Sequence, residues 1–222
     1  MHTGRSTGVV RRPRVRGPGR PPRRTRVSDP VRITIPGDTA MLRGLPAGTA
    51  VLLSGPVYTA RDATHVRLVT DIEAGTPPLD LREQVLFYAG PTPAAAGRPV
   101  GSVGPTTASR MDAWTPQLHA AGVAATIGKG VRSAAVREAC VADHAVYLAT
   151  VGGIAALLAT CVRTAETVAY ADLGAEALVR MELDDLPVWV AIDAAGVDWY
   201  EQARAKWVRE LPPSPDRGVE PR

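Results

Sequence analysis

The stretch VAATIGKGVRSAAVREACVADHAVYLAT, residues 123–150, decides the fold class. Its apolar runs predict one buried strand over Val123–Ile127 and another over Ala145–Thr150. Between them, Gly128–Gly130 is predicted to be a tight turn, and Ser133–Asp143 an amphipathic helix. A strand, a glycine turn, a helix and a second strand in close succession indicate an α/β protein.

Further strands and helices are predicted on both sides of this stretch. The additional strands are expected at Arg32–Ile35, Thr49–Ser54, Pro56–Thr59, Gln84–Tyr88, Ala177–Leu183 and Val188–Asp193. Additional helices are expected at Arg61–Ala74, Thr106–Ala113, Ile154–Thr164 and Tyr200–Arg209. One more helix is expected to be capped by Thr115 and to end at Gly122. Because the two kinds of element do not alternate strictly, the sequence predicts an α/β domain with a curved, barrel-like sheet flanked by helices.

The positive charge of the chain is concentrated at its N-terminus. The formal net charge is +4, yet residues 1–28 hold nine arginines and no acidic residue, so the remaining chain has 17 basic against 22 acidic side chains. A body with this acidic excess lacks the basic surface of a nucleic-acid-binding domain, and no nucleic-acid partner is expected. Arginine provides almost all of the basic side chains, because Lys129 and Lys206 are the only lysines.

The chain is predicted to consist of one domain, residues 29–210, between two disordered tails, residues 1–28 and 211–222. Proline and glycine in the N-terminal segment oppose a regular helix and leave little to bury. A start site placed too far upstream, or an arm for an anionic surface, are the alternatives for this segment. No apolar stretch typical of a secretory signal follows the arginines, and we expect a cytoplasmic location.

Neither a membrane span nor a metal site is predicted. Ala145–Val162 is free of charge over 18 residues, the minimum for a spanning helix, but its Ala, Gly and Thr insert weakly, so a strand, a turn and a helix are expected there. Cys140 and Cys161 are too few for a four-thiolate metal or iron–sulfur site and are interpreted as structural. The four histidines lack zinc-site spacing.

Three turns place cations or hydroxyl groups where a strand leads into a helix. They are Tyr58–His65 with Arg61, Gly104–Asp112 with Arg110 and two threonines, and Ile127–Gly130 with Lys129. Helix N-termini present free N–H groups and a partial positive charge, so these turns can form a pocket for a small anion with two or more carboxylates.

A structural explanation of the two arginines stays open beside the pocket. Each arginine can pair with a nearby aspartate, Asp62 or Asp112, and cap its own helix. Lys129 fits that explanation least well, because the glycines on either side of it allow its backbone to approach a ligand closely.

The same turns carry a resemblance to a known family. GPTTASRMD at Gly104–Asp112 resembles the GPTT-x-x-RMD signature of the class I fumarases. Leu53–Gly55 with Thr59–His65 resembles that family's LSG…TARDAAH, with Thr64 where alanine is usual. Further matches follow in the same order at Ile127–Gly130, Val136–Cys140, Val151–Ala156 and Asp172–Ala177. The resemblance runs from about Val31 to Tyr200 and is to the β subunit, or C-terminal domain, of class I fumarases and L(+)-tartrate dehydratases.

The resemblance implies a swivelling β/β/α domain and a hydro-lyase that adds or removes water at a C–C double bond between two carboxylates. It implies a 4Fe–4S cluster held by the cysteines of an α subunit, and hence an α partner. A heterotetramer of two α and two β subunits is the symmetrical expectation.

The resemblance also implies which side chains act. Thr106 matches the family's proposed proton-transfer group, and Thr106, Lys129 and Arg110 are the expected catalytic residues. The expected substrate-binding residues are Arg61, Thr106, Thr107, Arg110 and Lys129. Asp62, His65 and Asp112 are expected to orient the arginines or their helices.

Fumarate is the expected substrate, since Val146–Ala156 and Asp184–Asp193 resemble fumarases more than tartrate dehydratases. The expected reaction is the reversible hydration of fumarate to (S)-malate, a step of the tricarboxylic acid cycle. Two alternatives stay open. One is the β subunit of an L(+)-tartrate dehydratase, and the other is an orphan domain that binds dicarboxylates or proteins without catalysis.

Overall fold

Strands and helices follow one another along residues 29–207, the part of the chain that the computed structural model describes. The strands are β1 Val31–Thr34, β2 Ala50–Thr59, β3 Val85–Phe87, β4 Ala125–Gly128, β5 Val146–Ala149, β6 Val162–Ala169 and β7 Leu178–Ile192. The helices are α1 Thr39–Arg43, α2 Asp62–Glu73, α3 Thr115–Ala120, α4 Ala134–Ala142, α5 Ala155–Ala159 and α6 Trp199–Trp207. Both predicted tails, residues 1–28 and 211–222, and the last three residues of the predicted domain, 208–210, lie outside the described residues.

Five of the strands close a barrel. β2, β3, β4 and β5 are parallel neighbours in that order, and β7 runs antiparallel to both β5 and β2. Outside the barrel, β1 pairs with the first half of β2, and β6 pairs with the first half of β7. The predicted α/β class, with a barrel-like sheet flanked by helices, is therefore confirmed.

Two apolar clusters hold the barrel together. One contains alternate residues from all five barrel strands, such as Val57, Phe87 and Ile127, and fills the interior. The other joins the outer faces of β3 and β5 to the helices through residues such as Tyr88 and Leu118. The short strands β3, β4 and β5 are buried along their whole length, as is typical of parallel strands covered on both faces.

The carboxyl ends of the four parallel strands meet at one edge of the barrel. Arg61 follows the end of β2, Gly90 follows β3, Lys129 follows β4 and Gly152 follows β5. In α/β sheets, ligands bind outside this carboxyl edge. The fold thus brings together loops that are far apart in the sequence.

The breaks predicted within β2 and β7 are one shared irregularity. Each is a single strand, and their register shifts between Leu53 and Gly55, opposite the two aspartates of β7. Gly55 has a φ of 104°, and a Cβ there would lie 2.2 Å from the carbonyl oxygen of Ile35. Glycine therefore lets the strand bend at a bulge without ending the ladder.

Several sequence predictions of helices are wrong. Helix α5 ends at Ala159, and the chain pairs with β7 as strand β6 instead of continuing as a helix to Thr164. The helix predicted at Thr106–Ala113 is a 3-10 turn over Ala108–Met111. Thr115 is not the cap of α3, because Trp114 holds that position and the Thr115 hydroxyl donates to the Met111 carbonyl at 2.8 Å.

Two short elements were not predicted, namely α1 and a 3-10 turn at Ala171–Glu176. Each is too short to produce a helical period in the sequence. Among residues 29–207, no helix has the length and apolar character needed to cross a membrane.

Candidate functional site

The GPTT segment is attached directly to the end of β4. Thr107 forms a parallel β-bridge with Lys129, and the Lys129 N–H donates to the Thr106 carbonyl at 3.2 Å. The Ala108 N–H donates to the Lys129 carbonyl at 2.9 Å, and the Thr106 N–H donates to the Tyr88 carbonyl at 2.6 Å. The predicted residues Thr106, Thr107 and Lys129 therefore lie side by side, between the ends of β3 and β4.

The Lys129 side chain extends over the glycine turn that follows β5. A Cβ on Gly152 would lie 3.2 Å from the Lys129 Cδ and 3.5 Å from its Nζ, so a larger residue there would press on the lysine side chain. The lysine lines a cavity of about 400 Å³ with Trp189, Trp199 and Tyr200 among its walls. Within residues 29–207, none of the ion pairs includes Lys129.

Arg110 links the GPTT segment to the start of α2. Its Nε and Nη2 donate to the two carboxylate oxygens of Asp62 at 2.9 and 2.7 Å. The side chain of Arg110 is half exposed, and no hydrogen bond of its Nη1 occurs within the described chain. One edge of the guanidinium is thus fixed, and the other edge faces solvent with donors to spare.

Arg61 occupies the N-cap position of α2, next to Asp62. A Cβ on Gly90 would lie 3.1 Å from both its Cδ and its Nη1, so the guanidinium packs against that glycine. Its Nη2 lies 3.6 Å from a carboxylate oxygen of Glu176. The Arg61 carbonyl lies 2.7 Å from the His65 Nδ1, which fixes the backbone of this turn.

A fully buried arginine lies beneath these loops. The Arg132 Nε donates to Asp112 at 2.6 Å and its Nη2 donates to the Thr115 hydroxyl at 2.7 Å. Its guanidinium carbon lies 5.3 Å from the ring centre of Tyr88 and 4.8 Å from that of Tyr147. The other oxygen of Asp112 accepts the Ser133 N–H at 2.7 Å. These contacts tie the segment after GPTT to the segment after Lys129.

Most of the chain matches one known protein family. The family model described as Fumarase C-terminus matches residues 18–203. This chain belongs to that family. It is 38% identical over 166 residues to "Fumarate hydratase class I, anaerobic" of Escherichia coli K12, a match that covers 73% of this chain and 30% of the relative. It is 39% identical over 161 residues to "Fumarate hydratase 1, mitochondrial" of Leishmania major, covering 71% of this chain and 29% of the relative.

A shorter relative matches over nearly its whole length. The chain is 33% identical over 177 residues to "Putative L(+)-tartrate dehydratase subunit beta" of Methanocaldococcus jannaschii, covering 77% of this chain and 91% of the relative. By contrast, the chain spans less than a third of the length of the fumarate hydratases it matches. This fumarase-type domain therefore corresponds to part of one kind of relative and to nearly all of the other.

The arginines of this fumarase-type domain pair with acidic residues from other segments of the chain. Arg110 pairs with Asp62, whereas Asp112, its neighbour in sequence, pairs with Arg132. Arg61 pairs with Glu176 and not with the adjacent Asp62. The structural explanation therefore holds only in part: Arg110 pairs with one of the two aspartates, Asp62, but Arg61 pairs with neither and its side chain caps no helix. Sequence reasoning missed Arg132 and Glu176, because the partner of each is distant in the sequence. The one available signal was their position: Arg132 lies beside a matched motif, and Glu176 lies within one.

Two buried histidines, His65 and His119, lie near enough to Arg132 to feel its charge. Burial lowers the pKa of His65 and of His119 to about 4, and the charge of Arg132 adds to this effect. Each Nδ1 lies within 2.8 Å of a backbone carbonyl, so it carries the proton and donates. Each Nε2 is buried without a partner among the described residues. Both rings are therefore neutral and packed at neutral pH.

The two cysteines do not fit an iron–sulfur cluster. Such clusters need several thiolates, and burial raises the pKa of Cys140 to about 12 and also raises that of Cys161. Within residues 29–207, no group of three or more His, Cys, Asp or Glu side chains is arranged to hold a metal ion. The side chains that follow the parallel strands at the carboxyl edge are cationic and hydroxyl groups instead.

Proposed function

We propose that this chain is the β subunit of a class I fumarate hydratase and hydrates fumarate reversibly to (S)-malate together with an α subunit. The observation that carries the proposal is the convergence of Arg61, Thr106, Arg110 and Lys129 at the carboxyl edge of the barrel. Two arginines and a lysine on one edge suit a small dianion. We also propose a cytoplasmic location, and we place the reaction in the tricarboxylic acid cycle, as the family resemblance implies.

The proposed reaction needs positive groups beside the substrate. Loss of a proton beside a carboxylate builds an enediolate-like charge in the transition state, and positive groups already in position stabilise that charge as it develops. The free edge of Arg110 suits a two-point grip on one carboxylate, and Lys129 supplies a compact charge for the other or for the forming anion. Arg61 adds a third cation on the α2 side.

Thr106 is proposed to transfer the proton, and Thr107 to contact the substrate. A hydroxyl group is a weak base by itself, so its ionised form needs cations close by. The backbone hydrogen bond between Lys129 and the Thr106 carbonyl supports this role, because it keeps the lysine next to the threonine. Catalysis here depends on stabilising charge in a fixed geometry.

The α subunit is proposed to hold the 4Fe–4S cluster, since the cysteines of this chain do not fit it. The relative named as a β subunit supports a two-chain enzyme. The expected assembly is a heterotetramer with two-fold symmetry.

The β subunit of an L(+)-tartrate dehydratase is the second candidate. The observation that favours it is the 91% coverage of the tartrate dehydratase relative. The two substrates differ by one hydroxyl group on a shared dicarboxylate frame, so the same cations serve both.

The test is anaerobic co-expression with an α-type chain that carries three widely spaced cysteines, followed by cluster reconstitution. Fumarate absorbance is followed with malate, and oxaloacetate formation with L-tartrate, for each chain alone and for the pair. Malate turnover that needs both chains supports the fumarate hydratase, and tartrate turnover alone supports the second candidate. Full activity of this chain alone would contradict the need for a partner. Failure to associate, with no turnover, would leave the orphan domain.

A further inference from the structure

The 3-10 turn Ala171–Glu176 is far from α2 in the sequence, yet it covers the N-terminus of that helix. Arg61 is the N-cap residue, but its side chain makes no capping hydrogen bond. Glu176 supplies the cap instead. Its Oε2 accepts the Ala63 N–H at 2.9 Å, and its carbonyl accepts the Thr64 hydroxyl. A carboxylate at this position also interacts favourably with the positive end of the helix.

The other carboxylate oxygen of Glu176 faces Arg61. Its Oε1 lies 3.6 Å from the Arg61 Nη2, and each side chain keeps 26% of its area exposed. The guanidinium also packs against Gly90, where a Cβ would come within 3.1 Å. The same Cβ would lie 2.8 Å from the Ala175 carbonyl oxygen. Arg61 is therefore in contact with both the segment after β3 and the 175–176 segment, which lie close to each other.

The separation between Arg61 and Glu176 has a chemical consequence. At 3.6 Å the pair attracts by charge but is longer than a hydrogen bond, so the Nη N–H groups remain available to another acceptor. Asp62 differs in this respect, because it takes two N–H groups of Arg110 at 2.7 and 2.9 Å. Glu176 can therefore set the direction of the Arg61 guanidinium without using its Nη hydrogen-bond donors.

We infer that Glu176 is a positioning residue that aims the Arg61 guanidinium at the carboxyl edge of the barrel. This inference rests on the proposed function, in which Arg61 binds a substrate carboxylate. Glu176 acts through Arg61 and does not touch the substrate. This role gives a physical reason for the matched motif Asp172–Ala177, which contains Glu176.

The decisive variant is Glu176→Gln, which keeps an oxygen acceptor for the Ala63 N–H and removes the charge beside Arg61. The matched control is Asp172→Asn. It weakens the ion pair of Asp172 with Arg67, which joins the same turn to the same helix without contacting Arg61. If the turn becomes more mobile as a whole, both variants are affected. If only the orientation of the Arg61 side chain is lost, the effect is confined to Glu176→Gln.

The first measurement is made on the full 222-residue chain and needs no activity. The Nε–H signal of Arg61 is identified by its loss in Arg61→Lys, and its heteronuclear NOE reports how rigid the side chain is. We expect the NOE to fall in Glu176→Gln and to stay at the wild-type value in Asp172→Asn. An unchanged NOE in Glu176→Gln, or an equal fall in both variants, overturns the inference.

The second measurement uses the complex with the α-type chain. Glu176→Gln is expected to raise KM by about tenfold with a smaller change in kcat, because one ground-state contact is weakened. The double variant with Arg61→Lys is expected to be no worse than Arg61→Lys alone. Additive losses overturn the inference. If the wild-type complex turns over neither malate nor tartrate, the proposed function fails, and the NOE still decides whether Glu176 holds Arg61.

Discussion

Two layers of positive charge lie at the same edge of the barrel and differ in what surrounds them. The inner layer is Arg132, whose side chain is wholly buried and is held by a carboxylate, hydroxyl groups and two tyrosine rings. The outer layer is Arg61, Arg110 and Lys129, all of them partly exposed or exposed. A buried cation with internal partners stabilises the scaffold, and a cation with unused donors can bind a ligand. Position at the edge therefore does not by itself make a cation part of the site.

The largest expected effect comes from removing the inner cation. Arg132→Met leaves Asp112 without its partner in a largely buried place, so the free energy of unfolding is expected to fall by about 3–5 kcal/mol. Urea denaturation of the full chain measures this. Arg132→Met/Asp112→Leu removes both charges and is expected to regain part of the loss. A loss below about 1 kcal/mol in the single variant would mean that the inner layer is not a scaffold.

Acid is expected to destabilise the region around the inner layer. The folded pKa of His65 and of His119 is about 4, below their ordinary value of 6.5, so the unfolded chain binds protons first. The free energy of unfolding therefore falls as the pH drops from 6.5 towards 4, by roughly 3 kcal/mol for each histidine. Urea denaturation between pH 7 and pH 4.5 covers most of this window.

Two variants separate the buried histidines from other titrating groups. His119→Gln is expected to remove about half of the histidine contribution to the pH dependence. His144 is exposed, so His144→Asn is expected to leave it unchanged. An identical pH dependence in His119→Gln and the wild type would show that this ring does not stay neutral in the folded chain.

Removing an outer cation is expected to affect turnover far more than stability. Arg110→Ala should lower turnover by about 100-fold, the loss typical of one transition-state contact, because the free edge of its guanidinium is gone. Its exposed pair with Asp62 should contribute less than about 1 kcal/mol to stability. Assays of the co-expressed complex and urea denaturation test the two halves of this prediction. Turnover within a few-fold of wild type in a folded complex would remove Arg110 from the site.

The smallest effect is expected for a cation that belongs to neither layer. Arg82 pairs with Asp80 on the surface, and its hydrogen bonds lower the Asp80 pKa to about 2. In Arg82→Ala, the Asp80 pKa should rise towards its ordinary value, while the denaturation midpoint and turnover stay at wild-type levels. NMR titration of the carboxylate checks the pKa. A clear loss of stability would show that exposed pairs contribute more here than the comparison of the two layers assumes.

The sequence predicts the outer layer better than the inner one, for physical reasons. Arg61, Arg110 and Lys129 each lie in a short motif at the end of a strand, and local patterns are visible in a linear sequence. The convergence of those strand ends follows from parallel pairing once the barrel is known. Their roles as substrate ligands stay predictions.

The sequence named Asp62 as a possible arginine partner but could not say which arginine it pairs with, because the pairs join remote segments. Asp62 and Arg110 are 48 positions apart, and Glu176, which faces Arg61, also accepts the Ala63 N–H across 113 positions. Strand β6 was missed for a related reason: both of its faces are mostly exposed, so it lacks the alternating pattern of a strand. Pairing with β7 decides its conformation.

The most direct test of the central claim uses the only two lysines of the chain. Lys129 lies between the GPTT segment and the glycine turn, whereas Lys206 is exposed on α6. In the co-expressed complex, Lys129→Ala is expected to lower malate turnover by about 100-fold or more, and Lys206→Ala to leave it unchanged. Turnover by a folded Lys129→Ala complex within a few-fold of the Lys206→Ala complex would contradict the claim that these cations form the site.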